Sequence, residues 1–265
     1  MMRNTVSDIW KLYKSGEKIA CVTAYDSTSS LLADRAGVDL LLVGDSLGMT
    51  VLGHETTVPV SLEDCLRHSA AVVRGSEKAL VVADMPFMSY HGSSHEALKN
   101  ASRFMQESLA SSVKIEGGEE VAELVKLMVQ GGIPVMGHIG LLPQAVLVKG
   151  GYKVRGRSKE DEDQLLKDAL ALQEAGAFAI VMECVKDEAA QRIVSALDIP
   201  IIGIGSGLAC DGQVQVMHDI LGLDPRFTPR HARKYLNLAE QIEGAFGQYK
   251  DDVKASSFPS NENWY

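Results

Sequence analysis

Cysteine is scarce in this 265-residue chain, and the four present, Cys21, Cys65, Cys184 and Cys210, stand far apart with no CxxC pair. That spacing argues against a zinc knuckle or a disulfide framework and fits a reducing cytoplasm. Positive charge is also short, with 26 Lys and Arg against 35 Asp and Glu and a net charge of -9. A nucleic-acid or anionic-membrane surface needs clustered cations, so neither partner is expected and a small molecule is favoured. Long apolar runs are missing: none approaches the roughly 20 residues that cross a bilayer. The opening Met1-Met2-Arg3-Asn4-Thr5 lacks the apolar core of a signal peptide. No Pro/Ser-rich linker divides the chain, and no solenoid repeat is evident. What is left is an ordinary globular composition, 46% hydrophobic and 23% charged, with enough length for one large core.

From Ile19 onward, short apolar runs alternate with longer segments of helical composition. The runs predict strands at Ile19 to Thr23, Leu40 to Val43, Leu80 to Asp84, Val113 to Glu116, Pro134 to His138, Ala179 to Glu183, Pro200 to Ile204 and Gln213 to Met217. Glycines at Gly37, Gly131-Gly132 and Gly176 stand where the intervening helices should stop. A doubly wound sheet shares this rhythm, but a count of eight favours an α/β fold of the (β/α)8 TIM-barrel type in a single domain. The barrel domain is expected over residues 1–250, with an N-terminal helical segment, and a polar, poorly ordered tail over 251–265. The loop Lys149 to Ser158, rich in glycine and basic residues, follows the fifth strand, where long loops serve as lids or clamps.

Five of the apolar runs end in ionisable groups: Asp45, Asp84, the pair Lys114 and Glu116, His138, and Glu183. A charge at the end of a buried strand must meet water, a metal or a substrate. If the strands are parallel, these ends converge on one face. Asp45 and Asp84 end neighbouring strands, where two bare carboxylates would repel and a divalent cation, magnesium rather than zinc, would remove the cost. The alternative is that each Asp caps the helix that follows it. Lys114 and Glu116 are two apart and share a strand face, suited to holding a substrate oxyanion and supporting the cation or its waters; a structural ion pair is the alternative. Glu183, approached through Ile180-Val181-Met182, is the candidate general base. His138 is placed to orient that base or to bond a substrate oxygen, and its role stays open. Gly203-Ile204-Gly205-Ser206-Gly207 is not GxGxxG and is weak evidence for a nucleotide site. Cys184 follows Glu183 directly, so alternation turns it away from the base and a structural thiol is expected.

Taken in order, Thr23-Ala24-Tyr25-Asp26, Val43-Gly44-Asp45-Ser46-Leu47-Gly48-Met49, Ala83-Asp84-Met85-Pro86-Phe87-Met88, Val113-Lys114-Ile115-Glu116-Gly117-Gly118, Gly137-His138-Ile139-Gly140-Leu141, Gly150-Gly151-Tyr152-Lys153-Val154, Glu183-Cys184-Val185, Gly203-Ile204-Gly205 and Val216-Met217-His218-Asp219 resemble the ketopantoate hydroxymethyltransferase family. The resemblance implies a (β/α)8 barrel assembled as a homodecamer in the cytoplasm. It implies one Mg2+ per subunit on Asp45, Asp84 and Glu116, keto-acid contacts from Asp45, Ser46, Asp84 and Lys114, and Glu183 as proton acceptor. The implied substrates are 3-methyl-2-oxobutanoate and 5,10-methylenetetrahydrofolate, in a step of pantothenate biosynthesis. The chain departs from the expected pattern at Ser206, where Ala is expected, and at its end, Asn263-Trp264-Tyr265. Two other readings are a magnesium-dependent lyase or mutase of the phosphoenolpyruvate mutase and isocitrate lyase type, and a noncatalytic metabolite-binding barrel.

Overall fold

The computed structural model describes residues 3–265, so Met1-Met2 of the N-terminal reading lie outside the described residues. Eight parallel strands close into a barrel in sequence order, β1 to β8. They are β1 Ile19–Thr23, β2 Leu40–Val43, β3 Leu80–Asp84, β4 Ser112–Glu116, β5 Val135–Gly140, β6 Ala179–Glu183, β7 Ile201–Ile204 and β8 Gly212–Gln215. The α-helices are α1 Val6–Ser15, α2 Ser27–Arg35, α3 Leu47–Thr50, α4 Leu62–Gly75, α5 Ser94–Arg103, α6 Glu119–Gln130, α7 Val146–Lys149, α8 Lys159–Glu174, α9 Asp187–Ala196, α10 Met217–Leu221 and α11 Leu238–Lys254. The expected TIM barrel is therefore present.

β4, β5, β7 and β8 begin one residue from the expected starts, and two strands stop elsewhere than expected. β5 runs on to Gly140, and the last strand stops at Gln215, with Met217 opening α10. The chain divides into two compact units, one ending at Val216 and one running Met217–Tyr265. α11 continues unbroken through Asp251 to Lys254, so the tail expected from residue 251 begins as helix. Leu238, Ile242, Phe246, Tyr249 and Val253 explain this, because they recur at helical spacing across the acidic pair Asp251-Asp252.

Strands β2 to β5 are buried at every residue, as parallel strands covered on both faces must be. Leu40, Leu42, Leu80, Val82, Met136, Val181 and Ile202 pack together with Ile9 of α1 in one core cluster. Helix α1 closes this end: Ile9 is fully buried, and Trp10 Nε1 donates to Phe178 O at 3.1 Å. α2 is tied to the entry of β3 by Asp34, whose carboxylate accepts from the backbone N–H groups of Glu77, Lys78 and Ala79 at 3.1, 2.9 and 2.7 Å.

Strand alternation then decides what occupies the other end. Two residues beyond Val82 stands Asp84, two beyond Met136 stands His138, and two beyond Val181 stands Glu183. Register sets Asp84 beside Lys114, Glu116 beside His138, and Gly140 beside Glu183. One apolar interior thus turns ionisable at its C-terminal mouth.

Candidate active site

The groups expected to converge do so. Lys114 Nζ lies 3.1 Å from Asp84 Oδ1 and 3.1 Å from His138 Nδ1. Asp84 Oδ2 accepts from the Asp45 backbone N–H at 3.1 Å, which joins the ends of β2 and β3. His138 Nδ1 is 3.6 Å from Glu116 Oε1, and His138 Nε2 is 3.3 Å from Glu183 Oε2. Ser46 Oγ is 2.8 Å from the Tyr25 hydroxyl. The Glu183 side chain is 17% exposed, against 4–5% for Asp84, Lys114, Glu116 and His138, so it stands at the open side of the cluster.

The helix-cap alternative for the two Asp residues fails. The N-cap of α3 is Ser46 and makes no side-chain cap bond, while the next helix after Asp84 is α5, capped by Ser93. Asp26, by contrast, is a true cap, accepting from Thr28 N and Ser29 N at 2.8 Å each.

Four carboxylates, Asp45, Asp84, Glu116 and Glu183, surround one ammonium. Burial raises the proton affinity of Asp45, Asp84 and Glu116; repulsion between acids adds to this for Asp45 and Glu116, while Lys114 pulls all three back. Burial also lifts Glu183 to about 8, offset by Lys114 and reinforced by Asp45 and Asp84. For Lys114, burial favours the neutral amine, but Asp84, Glu116 and Asp45 outweigh it and hold the ammonium. Burial, then Lys114, drives His138 well below its ordinary value, so its imidazole is neutral. An ammonium only donates, so Nδ1 facing Lys114 is the acceptor and Nε2 carries the proton, directed towards Glu183.

The sequence reading missed Gln144, which sits in a single 3-10 turn after β5. Its Nε2 donates to Asp45 Oδ2 at 2.9 Å and to Met85 O at 3.0 Å, and its backbone N–H donates to Glu116 Oε2 at 3.1 Å. The Tyr90 hydroxyl donates to Gln144 Oε1 at 3.0 Å, and the Glu116 backbone N–H donates to that hydroxyl at 3.1 Å. Leu-Leu-Pro-Gln carries no charge, and no spacing rule pairs residue 144 with residue 45. Ser206 is also placed by the fold. It is fully buried, donates to Met182 O at 2.8 Å and accepts from Val185 N at 3.1 Å, so it brackets Glu183 and Cys184. Cys184 has φ 50, and burial lifts its thiol to about 11, which suits a structural residue.

Among the described residues, no three His, Cys, Asp or Glu side chains form a ready metal cage. Glu116 is instead engaged by the Gln144 backbone. The donor chemistry still fits a magnesium-like cation, which takes one or two carboxylates and completes its shell with water or substrate oxygens. The carboxylates of Asp45 and Asp84 stand on adjoining strand ends, joined by the Asp45 N–H to Asp84 Oδ2 bond, a placement that suits a shared cation.

A family model described as ketopantoate hydroxymethyltransferase matches residues 3–261. The chain belongs to the ketopantoate hydroxymethyltransferase family. A relative from Carboxydothermus hydrogenoformans, named 3-methyl-2-oxobutanoate hydroxymethyltransferase, is 54% identical over 99% of this chain and 95% of its own. One of the same name from Syntrophus aciditrophicus is 52% identical over 98% and 95%. Membership makes the chain an enzyme, a hydroxymethyltransferase, which sets aside the noncatalytic reading. Among solved structures, a 2,3-dimethylmalate lyase of the PEP mutase/isocitrate lyase superfamily superposes with a TM-score of 0.61 at 16% identity, covering 96% of this chain and 100% of that one. A phosphonopyruvate hydrolase complexed with oxalate and Mg++ gives 0.63 at 12% identity, covering 98% and 93%. At that identity the likeness is one of fold, and the ketopantoate hydroxymethyltransferase family supplies the class of reaction.

Proposed function

We propose that the protein transfers a hydroxymethyl group from 5,10-methylenetetrahydrofolate to 3-methyl-2-oxobutanoate, giving 2-dehydropantoate and tetrahydrofolate on the route to pantothenate. The observation that carries this is Glu183 at the open edge of a buried, anionic chamber that holds one fixed ammonium, Lys114. Lys114 and Ser46 hold the carboxylate end of the keto acid, which sets its C3 towards Glu183. The raised proton affinity of Glu183 suits it to accept the C3 proton near neutral pH. The neutral His138, with Nε2 3.3 Å from Glu183 Oε2, steadies the carboxylate and supplies no charge of its own.

Asp45 and Asp84 are the residues that would hold a magnesium ion, with Glu116 supporting it through Gln144 or water. When bound, the cation supplies Lewis-acid stabilisation of negative charge on the keto oxygen, worth several kcal/mol. The electron pair released at C3 attacks the methylene carbon of the folate, water supplies the hydroxyl, and tetrahydrofolate leaves. The same reading includes a cytoplasmic homodecamer, which light scattering on the purified protein tests. Among the described residues, no helix is long and apolar enough to cross a membrane.

Proton NMR of 3-methyl-2-oxobutanoate in D2O tests the first step. Magnesium-dependent loss of the C3 proton signal, before or after tetrahydrofolate is added, is the expected result. No exchange under either condition would overturn the substrate assignment.

A further inference from the structure

The basic, glycine-rich loop after β5 is a feature that the proposed chemistry leaves unused. α7 ends at Lys149, and Gly150 and Gly151 adopt φ 65 and 110, so the chain turns back at once. The turn sends Lys149 and Lys153 to one cavity of about 340 Å³, lined also by Leu141, Leu142, Arg155 and Asp161. That volume is within the range of about 300–1,000 Å³ common for ligand pockets.

The floor of this cavity is fixed. Arg155 Nε donates to Asp161 Oδ1 at 2.9 Å, its Nη1 to Gly140 O at 3.1 Å, and its backbone N–H to Cys184 O at 2.9 Å. The Arg155 charge is therefore matched by Asp161. Lys149 and Lys153 are different: both are exposed, and among the described residues neither ammonium has an ion-pair partner. Two unmatched cations on one concave wall, beside two leucines, suit an anion carrying more than one charge on an apolar stem.

The cavity is also coupled to the base. Gly140 is the register partner of Glu183, and the Leu141 backbone N–H donates to Glu183 O at 2.8 Å. Tyr152, between the two lysines, reaches to within 3.9 Å of Met49 Sδ, four residues after Asp45. One loop thus reaches from α3, the helix after Asp45, to the cavity.

We propose that Lys149 and Lys153 bind the carboxylates at the glutamyl end of the one-carbon donor, so that its methylene end reaches the chamber beneath Glu183. This rests on the folate reading above. The glutamyl end carries two carboxylates at the foot of a largely uncharged body, and each further γ-glutamyl residue adds one more. Leu141 and Leu142 give that body an apolar wall.

The test uses the full-length enzyme, saturating keto acid, and methylenetetrahydrofolate with one or three glutamyl residues. In Lys149→Gln/Lys153→Gln, KM for the triglutamyl donor is expected to rise about tenfold and for the monoglutamyl donor about threefold, with kcat largely kept. Lys149→Arg/Lys153→Arg, which keeps both charges, should retain the low KM. Raising KCl should erase the preference of the wild type for the longer tail. Equal KM values in wild type and the Gln variant, for both donors, would overturn the proposal. A wild type that exchanges the C3 proton but turns over neither donor would overturn the folate reading, and this inference with it.

Discussion

Replacing Glu183 by Gln removes the proposed base while leaving its shape. The amide keeps an oxygen in place of Oε2, 3.3 Å from His138 Nε2, so the ring has no cause to turn. Lys114, paired with Asp84 at 3.1 Å, and Ser46, paired with Tyr25 at 2.8 Å, are untouched. Binding of 3-methyl-2-oxobutanoate measured by calorimetry should therefore stay within about threefold. Loss of one negative charge slightly reduces the attraction for a cation at Asp45 and Asp84, which stay in place, so magnesium binding should weaken by no more than about threefold. Turnover and C3 exchange should fall by roughly 10²–10⁴, the usual contribution of a positioned base. The split matters, because a residue that only shaped the pocket would lose binding together with rate. Exchange in Glu183→Gln above about a third of the wild-type rate, at unchanged binding, would refute the assignment and leave a different group to be found as the base.

Burial is the largest cause of the raised Glu183 proton affinity and persists whatever occupies Asp45 and Asp84. The exchange rate should therefore rise with pH and level off above an inflection between the ordinary 4.5 and about 8; a profile flat down to pH 4.5 would contradict this. Gln144→Leu strips a donor from Asp45 and an acceptor from Tyr90. The KM for the keto acid should rise about tenfold, and an unchanged KM would make Gln144 mere filling. Burial alone would push Asp34 up, but the backbone N–H groups of Ala79, Glu77 and Lys78 outweigh it and hold this carboxyl below its ordinary value. Its stabilisation is present above the unfolded value and is lost as pH falls through the lower folded one. Asp34→Ala should cost about 3 kcal/mol in urea unfolding at pH 7, less as the pH is lowered, and a cost under about 1 kcal/mol would show that those three N–H groups find other partners. Ser206→Ala frees Met182 O and Val185 N on either side of Glu183. Exchange should slow a few-fold at unchanged keto-acid KM, and an unaltered rate would confine Ser206 to packing.

Much of the site was legible because it is written in period two. Val82 and Asp84, Met136 and His138, and Val181 and Glu183 each stand two apart on one strand, so an apolar interior and a charged mouth follow from alternation once the strands are parallel. Strands β2, β3 and β6 also fell where their apolar runs begin and end. Gln144 was not legible, since it enters through a turn and touches Asp45 across 99 positions of sequence. The same holds for Ser206: its hydroxyl matters only because β7 lies beside β6, a fact of register and not of local pattern. α11 was half legible, because Asp251-Asp252 suggested a tail where the apolar spacing on either side continues a helix.

The charge balance of the chamber separates what the fold needs from what the reaction needs. A barrel end is satisfied by apolar layers, as the core cluster beneath shows, and burying ions there costs several kcal/mol apiece unless they are matched. Here four carboxylates face one ammonium, and the imidazole that might have matched one of them is held neutral by burial and by Lys114. Packing does not call for that excess of negative charge. A divalent cation would offset part of that excess, and the proton affinity of Glu183 stays raised mainly by burial. Asp45 and Asp84 are the groups proposed to hold that cation, and Gln144, itself held by the Tyr90 hydroxyl, fixes the Asp45 carboxylate in place.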